Sequence, residues 1–81
     1  MSDDEKRLMK EHAEYMRGHF EAGRVVIYGP VLAPGATFGM GVFDVADEAE
    51  ARGIMDGDPS VRAGLNRYEL SPMHVAAARA T

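Results

Sequence analysis

Eighty-one residues are enough for one domain and no more, so residues 1–81 read as a single unit. Nine lysines and arginines stand against thirteen aspartates and glutamates, a net charge of −4 that argues against nucleic acid and against an anionic membrane surface. There is no cysteine to supply a disulfide or a thiolate metal ligand, and no apolar run approaches the roughly 20 residues of a membrane span. The polar opening MSDDEKR is unlike a secretory signal, so the expected compartment is the cytoplasm. A domain of this size buries a modest share of its surface, which makes self-association the expected source of further stability.

The clearest helix is SDDEKRLMKEHAEYMRGHFEAG. Ser2 and Glu5 have the S-x-x-E spacing of a capping box, and the acidic first turn suits the positive end of the helix dipole. Met9, Ala13, Met16 and Phe20 recur at helical spacing and predict one apolar stripe, with Gly23 as the left-handed C-terminal cap. RVVIYGP then predicts a strand cut short at Gly29-Pro30, and VLAPGA a loop. TFGMGVFDV predicts a second strand, with Phe38, Met40 and Val42 on one face and Gly39, Gly41, Phe43 and Val45 on the other. The two alternate glycines leave a bare strip, either for close packing or a bulge, or as room for a ligand.

DEAEARGIM predicts a second helix, opened by Asp47 and Glu50 at capping-box spacing and ended by Gly57. LNRYELSPM alternates like a final strand stopped by Pro72, and the tail from residue 74 to 81 is short enough to fray. The order is helix, strand, strand, helix, strand: an α+β fold with one layer of helices on an antiparallel sheet.

Between the second helix and the last strand lies MDGDPSVRAG. Asp58 before Pro59 is a helix-start signature, because a carboxylate caps free N–H groups and proline suits the first helical position. DPSVRAG then predicts a single helical turn closed by Gly64. Capping leaves lone pairs on the carboxylate free, so Asp58 can also be half of an active site. The other half has a candidate in His12, which falls at the edge of the apolar stripe in line with Leu8, Tyr15 and His19. Histidine is the side chain best suited to proton transfer near neutral pH, although a boundary histidine can equally be satisfied by water or a nearby carboxylate.

Other chemistries find little support. His12 and His19 are seven residues apart and EHAEY is not the H-E-x-x-H pattern, so no metal site is expected. GATFGMG does not open a helix and is not a phosphate loop; no nucleophile elbow or dinucleotide fingerprint occurs, and no cofactor is expected.

EHAEYM, EAGRVVIYGPV, GATFGMGVFDV, DEAEARGIMDGDPSVRAG and YELSPM, in that order, resemble the YCII-related family from about residue 5 to residue 74. The resemblance implies a ferredoxin-like fold that pairs as a dimeric α/β barrel. It also implies a His-Asp pair proposed for acid-base catalysis, matched here by His12 and Asp58. Some relatives eliminate halide from chlorinated aromatic substrates, and nothing in this sequence singles out that substrate. Members normally open with a β-strand before the first helix, whereas this sequence begins at a helix start. The implied order therefore has its first strand missing: either the start lies upstream, or the last strand pairs directly beside the second. Unpaired edges left by such a strand make tighter dimerisation or strand exchange expected.

The expectation is thus a homodimeric enzyme acting on a small organic molecule. His12 would be the acid or base and Asp58 its orienting partner, with Tyr15, Gly39 and Gly41 lining the pocket. The alternative is a non-catalytic small-molecule-binding or dimerisation module of the same fold, and a third possibility is a truncated product without independent function.

Overall fold

Ser2 starts the longest helix for a local reason. Its Oγ accepts from the Glu5 N–H at 3.1 Å while Glu5 Oε1 accepts from the Ser2 N–H at 2.9 Å, which is the reciprocal capping box. The Ser2 N–H first, and the Ser2 hydroxyl beside it second, hold the Glu5 carboxyl below its ordinary range. A computed structural model describes residues 2–79, with helix α1 spanning Asp3–Glu21. Its end is a Schellman motif. Gly23, at φ +84°, lets its own N–H reach the Phe20 carbonyl at 3.1 Å and the Arg24 N–H reach that of His19 at 3.0 Å.

Strands β1 (Val25–Ala33) and β2 (Ala36–Phe43) pair antiparallel around Pro34-Gly35, with Gly35 at φ +78° in the position a type II turn gives to glycine. Here the structure corrects the expected break at Gly29-Pro30. β1 runs through both residues and through Val31 to Ala33, which had read as loop, with Pro30 opposite Gly39. In a two-stranded sheet both strands are edges, and an edge tolerates a residue without an N–H.

Helix α2 (Glu48–Asp56) begins where Asp47 Oδ1 accepts from the Glu50 N–H at 2.9 Å, and helix α3 (Pro59–Arg62) is the single turn expected of DPSVRAG. A second Schellman motif closes α3. Gly64, at φ +77°, donates to the Val61 carbonyl at 3.0 Å, and Leu65 donates to that of Ser60 at 2.9 Å. α1 packs on β1 and α3, and α2 packs on α3.

The α+β class holds, and the mix of a long helix, an antiparallel hairpin and further helices is consistent with the ferredoxin-like expectation. The last segment departs from the expected order. Residues 65–79 form no strand and no helix, while Met1, Ala80 and Thr81, including the end of the tail expected to fray, lie outside the described residues. Alternation of side chains makes a strand only where another strand receives its hydrogen bonds. Leu65 and Asn66 instead give their N–H groups to the Ser60 carbonyl, and Tyr68 gives its hydroxyl to Asp56.

The core is small. Among the described residues Met16, Val25, Ala51 and Ile54 are the buried apolar ones, yet the two side chains with no exposure at all are polar, Asp58 and Ser60. Ala13 and Phe20, expected on the apolar stripe, are exposed; the inward side of α1 runs through Leu8, Met9, His12, Tyr15, Met16 and His19. His12 therefore sits within the packed side of the helix and not at its edge.

Candidate functional site

Asp58 is placed by two short elements. α2 ends at Asp56 with Gly57 as its C-cap, and α3 starts at Pro59, so the residue between cap and helix is the N-cap of α3, with extended backbone at φ −65° and ψ 126°. Its Oδ1 accepts from the Ser60 N–H at 2.8 Å and from the Ser60 hydroxyl, also at 2.8 Å. Its Oδ2 is turned to His12 Nδ1, in a short contact across the α1–α3 packing. Cap and histidine partner are thus the two oxygens of one carboxylate.

Burial gives this arrangement its weight. A carboxylate removed from water is strongly disfavoured unless hydrogen bonds and an opposite charge or dipole replace its hydration. Asp58 has three donors around it, and no buried side-chain polar atom among the described residues lacks a partner. Since a carboxylate only accepts, Nδ1 of His12 is the donor, and Nε2 is the nitrogen left for other chemistry. The His12 side chain is 27% exposed, against 0% for Asp58. The pair can therefore exchange a proton with a molecule from outside only through the imidazole.

Tyr15 lies one turn along α1 from His12, but its hydroxyl is committed: it donates to the Ile54 carbonyl at 2.6 Å. Gly57 makes room for it, because a Cβ there would stand 2.5 Å from the phenol oxygen. Burial, and secondarily the negative charge of Asp58, raise the Tyr15 pKa above its ordinary value, with Arg24 opposing. His19 stands edge-on to Tyr15, ring centroids 4.7 Å apart, and takes the Arg24 Nε–H on Nδ1 at 2.8 Å. Burial first and the Arg24 charge second hold His19 below the usual histidine range.

Gly39 and Gly41 sit apart from this network. Both are exposed on β2; a Cβ at Gly39 meets nothing within 4 Å, and one at Gly41 would meet the Phe43 ring at 3.0 Å. A groove of about 260 Å³ opens on the hairpin instead, lined by Ile27 to Val31 and Met40. Among the described residues no group of three or more histidines and carboxylates is gathered as a metal site would need, and no helix is long and apolar enough to cross a membrane.

Two members of the site went unread in the sequence. Ser60 gives both its N–H and its hydroxyl to Asp58, and Asn66 Nδ2 donates to Ser60 Oγ at 3.0 Å and to Met9 Sδ at 3.4 Å. The Ser60 N–H could have been anticipated, since an N-cap carboxylate takes the N–H two residues on. Asn66 carried no such signal.

The fold and site define a small α+β domain whose long helix brings a histidine onto a buried Asp-Pro turn. The model of the YCII-related domain matches residues 2–74, and the chain belongs to that family. Comparison with curated proteins and with solved structures finds no match.

The Tyr15 environment sets a pH dependence. A phenol whose folded pKa is raised stays neutral in the native state after the unfolded chain has begun to ionise. Stability from this group is therefore complete below about pH 10 and is lost as pH rises through the folded value. Ultraviolet difference titration of the wild type against Tyr15→Phe is expected to show that the missing phenol ionises above the ordinary value. In Gly57→Ala, where the ring must leave Ile54, this ionisation is expected to move back towards it. A Tyr15 titration at the ordinary value in the wild type would contradict the packing described.

Proposed function

We propose that the protein is a small-molecule enzyme in which His12 acts as general acid and base through Nε2 and Asp58 holds the ring. The observation that carries this reading is the fully buried carboxylate with one oxygen capped and the other given to His12 Nδ1. Such a partner fixes the tautomer and stabilises the imidazolium formed when the ring takes a proton from substrate. Tyr15 has a supporting part, since its hydroxyl ties α1 to the end of α2 immediately before Asp58. The alternative, a binding module without catalysis, draws on the groove of the hairpin, whose lining includes neither His12 nor Asp58.

Turnover of a panel of small organic compounds bearing an acidic C–H or a leaving group separates the two readings. Catalysis predicts that a compound converted by the wild type is converted about 10²-fold or more slowly by His12→Ala and by Asp58→Asn. Equal rates in all three proteins would remove both residues from the mechanism.

The working form in this proposal is a homodimer joined through the hairpin. Ile27, Val31, Phe38, Met40 and Val42 share one face by the strand register, and Ile27, Phe38 and Met40 are more than half exposed. Tyr28, on the opposite face, meets Phe20 of α1 with ring centroids 5.8 Å apart, so the apolar face points away from the helix. A lone two-stranded hairpin is marginal in water, and an apolar face with open strand edges is suited to a second copy. Light scattering after gel filtration is expected to give the dimer mass for the wild type and the monomer mass for a Phe38→Glu/Met40→Glu variant. A monomeric wild type at micromolar concentration would overturn this part.

A further inference from the structure

Asp58 has two equivalent oxygens, and something must decide which of them addresses His12. Ser60 supplies two donors to Oδ1, but only the N–H is fixed by the backbone. The Ser60 hydroxyl is a rotor that can donate in several directions, including to a carbonyl of the preceding turn. Its direction is settled from the other side. Asn66 Nδ2 donates into Ser60 Oγ at 3.0 Å, so the serine's own hydrogen is left to point at Asp58. The second amide hydrogen of Asn66 goes to Met9 Sδ, an acceptor only, which orients the amide with its nitrogen toward Ser60. Met9 lies three residues before His12 on the same side of α1.

We infer that Ser60 and Asn66 are positioning residues that form a directed relay, Asn66 to Ser60 to Asp58, which keeps Oδ2 on His12 Nδ1. The inference rests on the acid-base reading of His12 and Asp58 and adds to it the groups that set the histidine tautomer. Each donor in the chain polarises the next, as linked hydrogen bonds do in a dry interior, and Asp58 and Ser60 are both wholly buried. Asn66 is also held by its backbone, whose N–H bonds the Ser60 carbonyl at 3.0 Å. With the Leu65 N–H on the same carbonyl at 2.9 Å, it ties the irregular segment 65–79 to the site.

The tautomer of His12 reads this relay directly. Nitrogen-15 NMR in alkaline buffer is expected to find the Nδ1–H form prevailing in the wild type and the ratio moved toward Nε2–H in Asp58→Asn. Asn66→Ala removes the donor and should move the ratio in the same direction by about fivefold, the change one lost hydrogen bond makes. Asn66→Asp, nearly the same shape, should move it further, because its carboxylate takes the Ser60 hydroxyl for itself. Asn66 is only half-buried, so these variants are more secure than changes at Ser60, and circular dichroism confirms that each is folded. A wild-type ratio in both Asn66 variants alongside a changed ratio in Asp58→Asn would overturn the relay and leave the His-Asp pair standing. An unchanged ratio in Asp58→Asn as well would remove the pair and the relay together.

Discussion

The burial of the Asp58 carboxylate is the constraint around which this small protein is arranged. With only four buried apolar residues among those described, the core has little hydrophobic capacity to offset an unsatisfied charge. Every element near Asp58 is placed so that the charge is met. α2 stops two residues before it, α3 starts one residue after it, and α1 presents a histidine to it. The joint between α1 and α3 is consequently polar at its centre and apolar around it.

This gives the helices a geometry that packing alone would leave loose. Met16 and Ile54 can tolerate small slides, because dispersion contacts are weakly directional. The links His12–Asp58, Tyr15–Ile54 and Asn66–Met9 cannot, since each loses its bond when its distance or angle drifts. All three start or end on one side of α1 within two turns, so the helix is pinned in register against the α2–α3 corner. Among the described residues the hairpin has no comparable tie to α1. It meets α1 through Val25 and the Phe20–Tyr28 contact and leaves its other face open.

Much of the frame was legible in the residues because it is local. The Ser2–Glu5 box, the Gly23 and Gly64 caps and the Asp47 and Asp58 N-caps each depend on groups within a few positions, and each occurs where its spacing indicated. What escaped was set by distant partners. Gly29-Pro30 reads as a stop, yet β2 lies beside it and the strand that carries the proline is an edge strand. LNRYELSPM reads as a strand, yet no strand among the described residues receives it. His12 reads as a boundary residue because the apolar pattern was centred on Ala13 and Phe20. Tertiary packing turns the helix toward the side bearing His12, since that side carries the partner of a buried charge. Asn66 is the clearest omission: nothing within six residues of it announces that its amide will reach Ser60 and Met9.

The central claim is that His12 and Asp58 are energetically one unit, and a double-mutant cycle measures this most directly. Unfolding free energies by denaturant for the wild type, His12→Gln, Asp58→Asn and the double variant isolate their coupling from the other bonds each residue makes. A charge-assisted bond in a dry site predicts a coupling on the order of 1–3 kcal/mol, with the double variant less damaged than the sum of the single ones. Additivity within about 0.3–0.5 kcal/mol, the behaviour of independent sites, would contradict the account.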